Sequence, residues 1–159
     1  MAPPKLLADE MVGRLARYLR AVGCDTVYAR GLPDTEIREL ARREGRVLLT
    51  RDRELARRTP GAVRLESSAL AAQWRALAAR VPELPREIAF VRCTLCNGPL
   101  VPVAASEVSG PAREGVPWGR VEQGLALFRC VSCGHLYWEG SHTAQLRRAI
   151  RSWSEGSGP

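Results

Sequence analysis

The stretch GRVLLTRDREL, Gly45 to Leu55, decides how the N-terminal half of the chain folds. Its apolar run has the length of a short buried strand, begins after a helix-ending glycine, and stops just before Asp52. A similar run occurs near the start of the chain in the stretch KLLADEM, where the apolar residues Leu6 to Ala8 are followed by Asp9. Two buried strands that each end on an acid predict a sheet with carboxylates along one edge.

The surrounding sequence alternates strand and helix patterns over about the first 80 residues. The predicted strands are 5–9, 25–30, 46–50 and 61–66, and the predicted helices are 11–22, 33–44, 52–58 and 67–80. In the first helix, Arg14, Arg17 and Arg20 occupy a different face from the apolar residues. This alternation predicts an α/β fold, a parallel sheet flanked by helices.

The pattern changes after Pro85, where glycine and proline become frequent. Two CxxC pairs follow, Cys93 with Cys96 and Cys130 with Cys133, and 33 residues separate them. A final apolar stripe predicts a terminal helix that is capped by Ser141 or Thr143. We therefore predict an α/β domain over residues 1–86 and a small cysteine-bearing module with a C-terminal helix over 87–159.

The two CxxC pairs predict a sealed metal site. Each turn directs two thiolates at one ion, and two turns complete the tetrahedron that structural zinc takes. Iron in a rubredoxin-like site is the alternative, because the same four sulfurs accept it. The fifth cysteine, Cys24, stands alone and is expected to be a small buried apolar residue.

The net charge of +7 is carried almost entirely by arginine, since Lys5 is the only lysine. Such a charge suits a polyanionic partner such as nucleic acid, although an arginine-rich solvated surface explains it equally well. No apolar run approaches the roughly 18 residues of a membrane helix. An acid at position 9 also rules against a signal peptide, so we expect a cytoplasmic protein.

Four acids are expected at the edge of the sheet where the strands end: Asp9, Asp34, Glu36 and Asp52. Crowded carboxylates attract Mg²⁺ or Mn²⁺, which can activate water and orient a phosphodiester. Nearby arginines could hold the phosphates; they are Arg14, Arg51 and Arg53. The competing interpretation is that each aspartate only caps the helix that follows it.

Longer motifs resemble a known family. The segments LLADEMVGRLARYLR, DTEI, LLTRD and FRCVSCGHLYWEGSH together resemble the Mut-seven C-terminal RNase domain family, from about Lys5 to Arg151. The resemblance implies a PIN-like nuclease fold followed by a zinc ribbon, and a metal-dependent ribonuclease activity. By motif position it assigns the acids to Asp9, to Asp34 or Glu36, and to Asp52, and the zinc ligands to the four paired cysteines.

One departure from the pattern concerns a fourth acid that PIN-like enzymes commonly carry after the next strand, where only Glu66 is available here.

The leading hypothesis is a single-strand-selective ribonuclease that uses Mg²⁺ or Mn²⁺. The second is a catalytically weak or inactive RNA-binding module, and the third is a redox-active iron site. The sequence leaves open whether the ribbon packs against the α/β part, and whether His135 or His142 contributes to function.

Overall fold

Four parallel strands form the centre of the N-terminal half in a computed structural model, which describes residues 2–156. The strands are β1 (Leu6–Asp9), β2 (Thr26–Ala29), β3 (Val47–Thr50) and β4 (Val63–Arg64). Their order in the sheet is β2-β1-β3-β4, and every neighbouring pair is parallel. The predicted α/β fold is confirmed, and β1 and β3 are adjacent.

Helices follow the strands as the sequence predicts, although most elements are shorter than expected. They are α1 (Gly13–Ala21), α2 (Asp34–Glu44), α3 (Arg53–Arg57) and α4 (Leu70–Arg80). A 3₁₀ turn over Glu10–Val12 precedes α1. At the end of α2, Gly45 takes a left-handed conformation with φ of 62°, as expected for a glycine that ends a helix.

The sheet is buried on both faces because its strands alternate between two apolar clusters. Leu6 and Ala8 face the larger cluster, which α1 and α4 complete. Leu7 faces the smaller cluster, together with Ile37 and Leu48. Because both faces of the sheet are covered by apolar clusters, polar functional side chains are expected only at the ends of the strands.

The C-terminal half contains a three-stranded antiparallel sheet with the order β5-β6-β7. Its strands are β5 (Leu100–Val103), β6 (Leu127–Cys130) and β7 (Leu136–Tyr137). The long spacer between the cysteine pairs forms 3₁₀ turns over Ala105–Glu107 and Gly110–Arg113, followed by α5 (Trp118–Glu122). These elements enclose a small apolar cluster of their own.

The terminal helix α6 (Ser141–Glu155) packs against the α/β half. Ile150 is fully buried in the larger apolar cluster, and the Trp153 ring lies 4.8 Å from the ring of Tyr18, between centroids. The predicted cap was wrong, because Gly140 is the N-cap and the Thr143 hydroxyl bonds to its backbone. The division at residue 86 stays a prediction, but α6 shares the core of the first part.

The ribbon, which consists of β5 to β7 and the two cysteine turns, contacts the α/β half. It lies at the end of the parallel sheet opposite to the strand ends that carry Asp9 and Asp52. Arg20 is buried there, and its guanidinium donates to the carbonyl oxygens of Thr94 and Leu95, each at 3.1 Å. Two of the three arginines predicted to share a face of α1 are exposed, so Arg20 differs from its neighbours. These hydrogen bonds from a buried guanidinium hold the ribbon in a defined place.

None of the helices between residues 2 and 156 combines the length and the apolar character needed to cross a membrane.

Candidate active site and metal centre

One hydroxyl links the side chain of Asp9 to the backbone of Asp52 where β1 and β3 end. Asp9 ends β1 and is buried, and the Thr50 hydroxyl at the end of β3 donates to its Oδ2. The same hydroxyl oxygen accepts the backbone N–H of Asp52 at 2.9 Å. Thr50 thus donates its one hydroxyl proton to Asp9 and accepts an N–H from Asp52, so the three residues form one connected group.

The second acid of this group, Asp52, is exposed and caps α3. Its Oδ1 accepts the backbone N–H groups of Glu54 and Leu55, at 2.8 and 2.9 Å. Its Oδ2 has no hydrogen-bond partner within residues 2–156, and the Asp52 residue is exposed. The capping interpretation and the metal interpretation are therefore compatible, because one oxygen serves the helix and the other is available to a ligand.

Burial disfavours the charged form of Asp9 and raises the pKa of its carboxyl. The hydrogen bonds from Thr50 and from the backbone of Met11 oppose this effect, whereas the charges of Asp52 and Glu10 add to it. A carboxylate that is costly to ionise, beside a second carboxylate, gains most from a nearby cation.

The raised pKa predicts how substitution of Asp9 changes stability with pH. The native state holds this proton more tightly than the unfolded chain, so the contribution of Asp9 to stability falls as pH rises above 3.8, its ordinary pKa. Asparagine has no such dependence. We expect the Tm of Asp9→Asn, measured against wild type, to improve as pH rises from 3.8 to the raised pKa of Asp9 and to level off above it. Thermal unfolding across this range tests it, with exposed Asp34→Asn as the control for net charge.

The difference in Tm between Asp9→Asn and wild type could instead stay constant with pH or change in the opposite direction. Either result would contradict a pKa of Asp9 that is raised by burial.

The other predicted acids lie near this edge but do not join the group. Asp34 and Glu36 are exposed in the first turn of α2, and they form no hydrogen bond or ion pair with residues 2–156. Glu66 pairs with Arg64 at 3.0 Å. Among the described residues, no three carboxylates bring ligand atoms within 4.8 Å of one another. A third acidic ligand from this set stays a prediction.

The three arginines predicted to hold phosphates form no ion pair with any acid in the described part of the chain. Arg14 and Arg53 are exposed, and Arg51 lies half-buried directly after β3. The Arg51 Nε atom is buried and has no acceptor within residues 2–156. Free guanidinium groups around a pair of acids provide donors for an anionic ligand.

The four paired cysteines form one cluster, as predicted, and their Sγ atoms all lie within 4.8 Å of one another. Cys96 and Cys130 are 3.4 Å apart, and Cys93 and Cys133 are 3.7 Å apart, measured between sulfurs. A tetrahedral zinc site with Zn–S bonds of about 2.3 Å has sulfur–sulfur edges of about 3.8 Å. The donor set and the spacing therefore fit zinc.

The surroundings shift the pKa of the four thiols in different directions, lower for Cys93 and Cys130 and higher for Cys96 and Cys133. Burial raises the pKa of the Cys130 thiol, but the N–H groups of Cys133 and Ser132 outweigh it and lower the pKa to about 7. The two CxxC turns approach each other closely at Gly98. A side chain cannot fit there, because an added Cβ would lie 2.8 Å from the Cys130 sulfur. Cys24 is buried apart from this cluster, as expected, and burial raises its pKa to about 12.

Sequence reasoning missed two polar groups that organise these sites. Thr50 links the two acidic residues. The sequence feature that could have revealed it is a hydroxyl side chain at the end of an apolar run. The Tyr137 hydroxyl lies 3.0 Å from the Cys93 sulfur and accepts the backbone N–H of Thr94. Nothing in the sequence context of Tyr137 indicates this contact with a metal ligand.

The family model of the Mut7-C RNAse domain matches residues 4–150. The chain therefore belongs to the Mut7-C RNAse domain family, which agrees with the parallel sheet, the acids at its edge and the four-cysteine cluster. Comparison with curated proteins and with solved structures gave no match. Membership in this family indicates a nuclease, and the cluster indicates a metal-binding protein.

Proposed function

We propose that this protein is a metal-dependent ribonuclease that cleaves single-stranded RNA at the edge of the sheet where β1 and β3 end. The observation that carries the proposal is the Asp9–Thr50–Asp52 group, in which the Thr50 hydroxyl donates to the carboxylate of Asp9 and accepts the backbone N–H of Asp52. Ligands of open parallel sheets bind at this edge. Membership in a family of RNase domains supports the proposal independently of the geometry of the site.

In this proposal Asp9 and Asp52 hold Mg²⁺ or Mn²⁺, and Asp34 or Glu36 completes the carboxylate set. Two protein carboxylates suffice for a magnesium ion, which usually keeps several waters. Once bound, the ion would supply Lewis acidity and a more acidic water for attack on phosphorus. Thr50 fixes the orientation of Asp9, while Arg51 and Arg53 bind phosphate oxygens and balance the charge of the scissile group.

A second candidate function is a catalytically weak or inactive RNA-binding module that uses the PIN-like domain and the ribbon. It is favoured by the spread of the acids, because no three carboxylates converge within residues 2–156. In that case the free arginines would still bind phosphates, and RNA would be retained without turnover. This candidate predicts salt-sensitive binding with no dependence on added divalent ions.

Cleavage of end-labelled single-stranded RNA distinguishes the two candidates. We expect turnover with Mn²⁺ that disappears after chelation and returns when Mn²⁺ is restored. The zinc content is measured after chelation, so that loss of the ribbon metal is not mistaken for loss of the catalytic ion. Tight RNA binding without Mn²⁺-dependent cleavage would reject the nuclease proposal and support the binding module.

For the four-cysteine cluster we propose a structural zinc ion that closes the ribbon. Backbone N–H groups of both cysteine turns donate to the sulfurs of the cluster, which lies at the opposite end of the sheet from Asp9 and Asp52, and this suits a structural role. Iron would give a coloured protein with visible absorption. A colourless protein that holds one zinc ion per chain would support the proposal.

A further inference from the structure

A groove without acidic side chains runs along α1, from its first turn to the ribbon. It consists of two adjoining clefts with volumes of about 250 and 370 Å³. Both clefts are lined by Arg17 of α1, Thr94 of the first cysteine turn and His142 of α6. Arg14 lies at one end of the groove, and α1 begins just after the strand that ends on Asp9. The groove therefore begins at the same end of the sheet as the acids.

The groove carries the positive charge of two arginines, and no acidic side chain lines it. Arg14 and Arg17 are exposed and form no ion pair with any residue from 2 to 156. On α2, by contrast, Arg42 pairs with Glu39, and on α3 Arg57 pairs with Glu54. No Asp or Glu lines either cleft. Two free guanidinium groups one helical turn apart suit successive phosphates of a nucleic acid.

Aromatic side chains lie in the same groove. Tyr18 lines the first cleft, and Tyr137 and Trp138 line the second, all of them half-buried. A basic groove combined with aromatic rings is the arrangement that binds unpaired nucleic acid, because an unpaired base can stack on a ring. A duplex keeps its bases stacked inside and leaves such rings unused.

We infer that this groove binds single-stranded RNA and guides it to the acids at the edge of the sheet. Arg14 and Arg17 contact backbone phosphates, and Tyr18 and Trp138 stack on bases. The ribbon and α6 form one wall, which gives them a direct part in substrate binding. This inference rests on the proposed ribonuclease function and adds the path of the substrate.

The test is binding of a fluorescein-labelled single-stranded RNA of mixed sequence, measured by fluorescence anisotropy without Mg²⁺ or Mn²⁺. For Arg14→Gln/Arg17→Gln we expect about a tenfold loss of affinity near 0.1 M salt. The slope of log affinity against log salt should fall by about 1.4, the value for two phosphate contacts on a single strand. The control is Arg42→Gln/Arg80→Gln, which changes the net charge equally at exposed positions elsewhere and should keep the wild-type slope.

Cross-linking of RNA that contains 4-thiouridine tests the same groove in the wild-type chain, so folding of the variant is not required. We expect cross-linked peptides from α1 around Tyr18 or from the segment around Trp138. Wild-type affinity and slope in the double variant, or cross-links confined to other surfaces, would overturn the inference.

Binding without divalent ions separates this inference from the proposed function. Loss of RNA affinity in the double variant together with no Mn²⁺-dependent cleavage by wild type would keep the groove and reject the nuclease. Cleavage by the double variant with an unchanged KM would keep the nuclease and reject the groove.

Discussion

Loss of the metal from the four-cysteine cluster is expected to destabilise the whole chain, and not only the ribbon. Structural zinc contributes about 10 kcal/mol or more to the folding of small zinc modules. Here the ribbon also completes the α/β half, so we expect the Tm to fall by roughly 10 °C or more after metal removal. Cys93→Ser should have a similar effect, because Cys93 is a fully buried member of the cluster.

The coupling follows from buried polar contacts between the two parts. Arg20 donates to Thr26 of β2 and to two carbonyl groups beside the first cysteine pair. Asn97 in that same turn accepts the backbone N–H of Thr26 at 2.9 Å and donates to Asp25 at 2.7 Å. If the turn unfolds, Arg20 and Thr26 lose these hydrogen bonds and the end of α1 loses the ribbon that covers it, so the α/β half is destabilised as well.

Thermal unfolding and the zinc content per chain measure this effect in wild type, in Cys93→Ser and in Cys24→Ala. The last variant is the matched control, because it also removes a buried cysteine but one that lies outside the cluster. It should keep its zinc. A Cys93→Ser protein that retained both wild-type zinc content and wild-type Tm would contradict the structural role of the cluster.

Replacement of Asp52 by asparagine is expected to lower Mn²⁺-dependent cleavage of RNA by at least about a hundredfold and to leave the fold intact. The carboxylate charge that would hold the ion is lost. The cap of α3 survives, because asparagine caps helices as well as aspartate does. The Tm should therefore stay within about 2 °C of wild type.

Glu54→Gln is the control for this experiment. Glu54 lies two residues further on, is exposed, and pairs with Arg57 and Arg58, so the change removes an equal charge beside the site without touching the acid pair. Its cleavage rate should match wild type. An Asp52→Asn protein that cleaved RNA at the wild-type rate would remove Asp52 from the proposed site.

Most of the α/β architecture was predictable because its signals are local. Apolar runs of strand length alternate with helical periodicity, and Gly45 marks the end of α2 through its left-handed conformation. The metal cluster was predictable for a similar reason, since each CxxC turn presents two sulfurs whatever surrounds it. Element ends were less accurate, because capping depends on the side chains that reach the backbone, as Thr143 does at Gly140.

Only the tertiary structure decided which residues meet across the chain. The sequence by itself determined that Asp9 and Asp52 follow strands, but their link through Thr50 depends on the adjacency of β1 and β3. Arg20 shares the spacing of its exposed neighbours and is nevertheless buried, because the ribbon covers the end of α1. Periodicity reports which face of an element is apolar, whereas the partner that covers that face comes from residues far away in the chain.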